Sequence, residues 1–345
     1  MKWSPKQGSN NQDRTEHSYL GSAKSALVHT TSQAAKILFC FVCTGMFLSG
    51  DDDRLKSTVA SISPEKLLAK VDRTASAISV RILDQDFLGS GFIVQQSDQD
   101  YLVITNQHVL RAGEAPYTVE TVDGKTYSAK VVTDMSALDY QYDLAVLKFT
   151  ADIPYQTAKV GNSFNLDVGD RVFAAGFPYQ DSLSATPDLF PASRLDRQAL
   201  ALKSGRVAIV LDRALEEGYQ IGYTNDVKKG MSGGALFNDR AEVVGVNGKH
   251  AYPLWESPEI YQDGSEPCSA LQELITRSSL AIPIEKSIEV ATPLKSLKPD
   301  SVELEYPTKS RSRTAEKAPV VARMQKIAES TKKQCRQERA VLENQ

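Results

Sequence analysis

Hydrophobic and polar positions change their spacing several times along this chain. Residues 1–36 are rich in Ser, Thr, Gln and Asn and show no readable period. Ile37 to Leu48 (ILFCFVCTGMFL) is an uncharged run of twelve residues, preceded by Lys36 and followed by Ser49, Gly50 and three Asp. A spanning helix needs roughly 18–20 apolar residues, so this run suits the core of an export signal better than a membrane span. Ser63-Pro64-Glu65 reads as a helix start, with Ser at the cap, Pro at the first helical position and an acid in the first turn. That helix is expected to fade near Arg73.

Beyond it the period shortens to two, the alternation of a half-buried strand. Strands are expected over 77–83, 91–95, 101–106, 117–122, 126–132, 144–149, 171–175, 204–210, 219–224, 235–237 and 242–247. Asp123-Gly124 between two of them suits a tight hairpin turn. Strands this frequent, with turn signals between them and few helices, indicate an all-β sandwich or a pair of barrels. Strand density is similar over 77–155 and 165–290, which suggests two β lobes. From Ala291 the β pattern stops, and no internal repeat of 20–50 residues is visible.

Four segments follow: 1–50, an export signal or membrane-anchor region; 51–76, a linker and helix; 77–290, the β domain; and 291–345, a basic, partly helical or disordered tail. Val321, Met324, Ile327 and Ala328 would share a face of a helix in that tail. Residues 309–345 hold ten Lys or Arg against four Glu, a charge of +6, leaving −9 on the rest of the chain. A net charge of −3 gives no general nucleic-acid footprint, although the tail or residues 37–48 offer a route to membrane contact. Four Cys, two of them inside the apolar run, supply neither a disulfide scaffold nor a zinc cage. No metal or cofactor is expected, and the oligomeric state is open.

Three segments carry chemistry. Only four His exist, at 17, 29, 108 and 250, and the first two fall in the patternless N-terminal stretch. His108 follows a strand in YLVITNQHVL, where an imidazole projects from a strand end; His250 lies in a loop-like stretch. Lys229-Gly230-Met231-Ser232-Gly233-Gly234 crowds three glycines around one Ser. Such a turn exposes the hydroxyl and aims backbone N–H groups, those of Gly230 and Ser232, into one volume as an oxyanion hole. A phosphate loop is disfavoured, since no Gly-Lys-Ser/Thr follows. In Tyr142-Asp143-Leu144-Ala145-Val146-Leu147 an Asp opens an apolar strand. Asp134 and Asp139 are more polar-flanked rivals.

His108 in TNQHV, Asp143 in YDLAVL and Ser232 in GMSGG, in that order, resemble the trypsin-like (chymotrypsin-fold) serine peptidases. The bacterial branch is closer, through Gly89-Ser90-Gly91-Phe92-Ile93-Val94 before the His and Gly169-Asp170-Arg171-Val172-Phe173-Ala174-Ala175-Gly176-Phe177-Pro178. The resemblance covers residues 60–290. It implies two six-stranded antiparallel β-barrels with the site between them, here with a short N-terminal helix and a charged C-terminal tail added. It also implies that Ser232 attacks a peptide carbonyl, His108 moves the proton, and Asp143 orients the imidazole. Val244, Gly245, Val246, Asn247 and Gly248 would be the strand on which an extended substrate adds its backbone.

The departures are informative. Met231 stands where animal relatives carry an acid that captures a cut N-terminus, so a protein active without that ion pair is expected. The Cys residues common around the animal triad are absent, which implies a form held by packing alone. Related heat-shock-type proteases carry a peptide-binding module after the catalytic domain, whereas residues 291–345 are Lys-, Arg- and Ser-rich and are not expected to form one. Asp226, six residues before Ser232, is a candidate for binding a basic substrate side chain. The expected partner is a protein or peptide substrate and the expected location is exported, periplasmic or extracellular. Two rival readings remain: a catalytically silent module gripping extended peptides, and an α/β-hydrolase esterase. The second fails, because that class orders its residues Ser, Asp, His and places a helix after the Ser.

Overall fold

The computed structural model describes residues 63–132, 142–179, 199–252, 259–291 and 319–342. The apolar run 37–48 and the rivals Asp134 and Asp139 lie outside them, as do His17 and His29.

Helix α1 (Pro64–Ile78) starts as the sequence indicates, with the Ser63 hydroxyl accepting from the Lys66 N–H. It runs past Arg73 because Leu67, Val71, Ala75 and Ile78 continue one buried stripe at spacings of three and four. The first strand therefore begins at Ser79 rather than at 77.

Among the described residues twelve strands follow, forming two closed six-stranded antiparallel barrels. The first contains β1 (Ser79–Leu83), β2 (Phe87–Ser97), β3 (Asp100–Thr105), β4 (Tyr117–Glu120), β5 (Thr126–Val131) and β6 (Ala145–Thr150), in the order β1-β2-β3-β6-β5-β4. A five-residue helix, α2 (Gln107–Arg111), follows β3. The second barrel contains β7 (Arg171–Gly176), β8 (Ala201–Val210), β9 (Ile221–Tyr223), β10 (Ala235–Phe237), β11 (Val243–Lys249) and β12 (Ser279–Pro283), ordered β10-β11-β12-β9-β8-β7. Strand β12 was not expected; like β9 and β10 it is buried along its whole length, and it lies between two helices.

Alternation along β6 builds two cores at once. Ala145, Leu147 and Phe149 enter the first barrel with Val80, Ile82, Tyr101 and Val119. Leu144 and Val146 face the other way, joining Phe92, Ile104, Phe173, Phe237, Ile282 and the buried stripe of α1. That shared cluster binds the two barrels along one seam and fixes what stands at their mouths.

Helix α3 (Ser269–Thr276) precedes β12, and α4 (Ile284–Ala291) follows it. In the basic tail, α5 (Pro319–Leu342) packs on α3 and β8. Its inward face contains Val321, Met324, Ala328 and Thr331, whereas Ile327 is exposed. Packing is not alone in holding the chain together: Cys268, the cap of α3, is disulfide-bonded to Cys335 of α5, 67 positions away. The pairing depends on α5 folding back onto α3, and no local Cys spacing announces it. Beside the bond, the Ser269 backbone N–H and hydroxyl both donate to the Glu338 carboxylate, at 3.1 and 2.9 Å.

Candidate active site

Strand β3 ends at Thr105, Asn106 stands at the cap of the short α2, and α2 turns His108 back towards the start of β6. Asp143 receives it twice: the His108 backbone N–H donates to Oδ1 at 2.8 Å and ring Nδ1 lies 2.5 Å from Oδ2. The Asn106 side-chain amide donates to the Asp143 backbone carbonyl at 2.7 Å, so loop and imidazole are registered together. Asp143 is 1% exposed. Such burial raises a carboxyl pKa, yet the bonds and charge from His108, the Tyr219 hydroxyl and the His108 N–H outweigh it and hold the group below its ordinary range.

Tyr219, in the turn between β8 and β9, was not foreseen as part of the site. Its hydroxyl donates to Asp143 Oδ2 at 2.5 Å. In sequence it reads as the first residue of the strand expected over 219–224; its partner is 76 positions away and comes from the other barrel.

The loop carrying Ser232 is pinned at successive peptide groups. The Lys229 carbonyl accepts from the Tyr179 N–H at 2.7 Å, that of Gly230 from the Ser90 hydroxyl at 2.7 Å, and that of Met231 from the Gly234 N–H at 3.1 Å. In a trans peptide the N–H points opposite to the carbonyl of the same plane. Holding the Lys229 and Met231 carbonyls therefore orients the N–H groups of Gly230 and Ser232. Neither of these has an acceptor among the described residues. Gly230 (φ +91°) and Gly233 (φ +82°) occupy the left-handed region. A Cβ on Gly233 would also collide with the Ser90 carbonyl and the Thr105 hydroxyl, so any side chain there pushes the barrels apart.

That close approach brings Ser232 to the His108 loop. Gly233 abuts the N–H of Asn106, the Ser232 carbonyl accepts from the Ser90 N–H at 2.9 Å, and Gly89 is wedged between Val109 and that same carbonyl. The Ser232 hydroxyl donates to the Gly248 carbonyl at 3.0 Å. Among the described hydrogen bonds it does not engage His108, as is common before substrate binds.

The remaining predicted residues are distributed unevenly. Gly245 and Val246 are laddered on both sides, to β10 and β12. The Asn247 backbone exchanges bonds with Gly233 and Gly234, and its side chain is buried against Tyr223, Ala175 and Ala235. Val244 is core. Gly245, Val246 and Asn247 therefore have backbone groups already taken, whereas the core residue Val244 and Gly248, at the register shift between Asn247 and Lys249, stand outside these ladders. Asp226 faces solvent and pairs with Lys228 at 2.7 Å instead of standing at the base of a closed pocket. Met231 is buried in the second barrel and forms no ion pair. His250 is exposed. Among the described residues no group of three or more His, Cys, Asp or Glu is arranged to hold a metal.

Comparison with known proteins agrees with this geometry. Residues 89–246 match the model of the trypsin-like peptidase domain. Barrels and match agree on a trypsin-like peptidase domain within this chain. A probable periplasmic serine endoprotease, DegP-like, of Chlamydia trachomatis is 36% identical over 161 residues, covering 46% of this chain and 27% of that protein. The serine protease Do-like HtrA of Lactobacillus helveticus is 32% identical over 159 residues, 46% of this chain and 35% of its own. A DegP-like protein of Pseudomonas savastanoi pv. phaseolicola is 32% identical over 215 residues, 60% of this chain and 35% of its own. The chain thus spans about a third or less of the length of these curated relatives.

Proposed function

We propose that this protein is a serine endopeptidase acting on protein or peptide substrates through His108, Asp143 and Ser232. The carrying observation is the coincidence, at one point between the barrels, of a doubly hydrogen-bonded His108–Asp143 pair and a Ser flanked by two unengaged N–H groups. Ser232 Oγ attacks the scissile carbonyl while His108 Nε2 takes its proton. Negative charge growing on the carbonyl oxygen is met by the N–H groups of Gly230 and Ser232, already oriented by their pinned peptide planes. His108 then returns the proton to the leaving amine, and water cleaves the acyl-enzyme by the same steps in reverse order. Asp143 keeps Nδ1 protonated, so that Nε2 is the free base.

Residues 63–291 form the catalytic unit in this reading, with α5 as an accessory strap and residues 1–50 as the export segment. Three observations support export: the periplasmic relatives, the short apolar run 37–48 and the Cys268–Cys335 bond, which persists in oxidising compartments. Among the described residues no helix is long and apolar enough to cross a membrane.

The test is labelling of the full chain with a fluorophosphonate probe followed by peptide mapping. Modification at Ser232 that disappears in His108→Ala is the expected result. A folded protein that takes no label overturns the reading in favour of the silent peptide-gripping module.

A further inference from the structure

We infer that Tyr219 is a positioning residue for the catalytic centre, holding the carboxylate of Asp143 from the second barrel and backing the Gly248 carbonyl that receives the Ser232 hydroxyl. The inference rests on the peptidase reading above and deepens it.

The turn at 215–219 is shaped to reach Asp143. Glu217 adopts φ +60°, the left-handed region, and so carries a local backbone cost. That conformation is kept in place by the Asp143 backbone N–H, which donates to the Glu217 carbonyl at 2.8 Å. Gly218 lies so close to Tyr142 that a Cβ would come within 2.4 Å of its ring. Backbone and side chain of this turn therefore both dock on residues 142–143, and the result is the hydroxyl of Tyr219 on Oδ2. The phenol is fully buried, and its own pKa is pushed well above the ordinary value, first by that burial and then by the charge of Asp143. In this pair the phenol is the donor and the carboxylate the acceptor.

The opposite side of the ring is equally constrained. A Cβ on Gly248 would fall 2.2 Å from the Tyr219 hydroxyl, so only glycine at 248 leaves room for the phenol. Lys249 Nζ stands 4.9 Å from the ring centroid and is itself held by Glu259 at 2.9 Å. One side chain thus spans the gap between the Asp143 carboxylate and the residue whose carbonyl binds Ser232. Asp143 Oδ2 accepts from both Tyr219 and His108, so the phenol limits how far the carboxylate can swing and competes for the oxygen that holds the imidazole.

The experiment compares full-length wild type with Tyr219→Phe, reading kcat and KM on a peptide substrate and the low-field proton resonance of the His108 Nδ1–H. The hydroxyl donates to a buried charge, a bond of the stronger, charge-assisted kind, so kcat is expected to fall roughly tenfold with KM within about twofold. The resonance is expected to move further downfield, because Oδ2 then serves His108 alone. Unchanged kcat, or a loss of kcat with an unmoved resonance, overturns the inference and leaves Tyr219 as packing. Gly248→Ala, which displaces the phenol without removing it, gives an independent check, expected to lower kcat and shift the same resonance. If wild type neither turns over nor takes a serine probe, the peptidase reading fails; the resonance in the two variants still decides whether Tyr219 sets the carboxylate.

Discussion

The hydroxyl of Ser90 joins the two barrels at the candidate site, donating to the Gly230 carbonyl at 2.7 Å while accepting from the Phe177 N–H at 2.8 Å. It is fully buried, so both partners lose their only substitute for water if it goes. Ser90→Ala is expected to destabilise the protein by about 2 kcal/mol, the cost of stranding buried polar groups. Because the peptide group next to the oxyanion N–H is freed, probe labelling at Ser232 should also slow. Urea titration and labelling rates measure the two effects separately.

Ser232→Ala removes the nucleophile and little else. Turnover is expected to drop by several orders of magnitude with an unchanged urea midpoint. Retained cleavage by the purified variant would refute the assignment of Ser232.

Glu242 sets a predictable acid response. Burial favours its neutral form, but Lys159, Asn238 and Arg240 bind the carboxylate and pull its pKa from 4.5 to about 2. A carboxyl depressed in the folded state stabilises above its unfolded pKa and loses that contribution as pH falls towards the folded one. The shift corresponds to about 3 kcal/mol at most, and the exposure of Lys159 and Arg240 reduces the expected value to about 1–2 kcal/mol. Glu242→Gln should therefore lower stability at pH 7 by that amount and match wild type near pH 2. Denaturant midpoints at the two pH values provide the comparison.

The Cys268–Cys335 bond closes a span of 67 positions, for which loop entropy gives a stabilisation of about 4.4 kcal/mol. In Cys335→Ser the amides of α5 are expected to exchange roughly a hundredfold faster or more, while those of the two barrels keep their protection. Hydrogen exchange with and without reductant tests this. Equal protection of α5 in both forms would show that its contacts with α3 and β8 suffice.

Short apolar runs between turn signals made eleven strands legible, including β9 and β10, which are buried throughout and show no alternation of burial. The equally buried β12 escaped, as a five-residue run between the helical segments α3 and α4. The Ser232 loop was legible from its glycines, since tight turns demand them. Tyr219 was hidden, because nothing local distinguishes a tyrosine that fills a core from one that reaches a carboxylate in another barrel. Likewise Val244 to Gly248 read as one extended docking strand, but availability for docking depends on which backbone groups the neighbouring strands have already taken.

The carbonyl of Gly248 has a consequence for timing. It accepts the Ser232 hydroxyl, and Gly248 lies outside the ladder at the register shift between Asn247 and Lys249. An incoming peptide N–H that took this acceptor would turn the serine loose towards His108. Arrival of the chain and arming of the nucleophile would then be a single event, and a probe that offers no backbone N–H is expected to label Ser232 only as fast as the hydroxyl leaves Gly248 unaided.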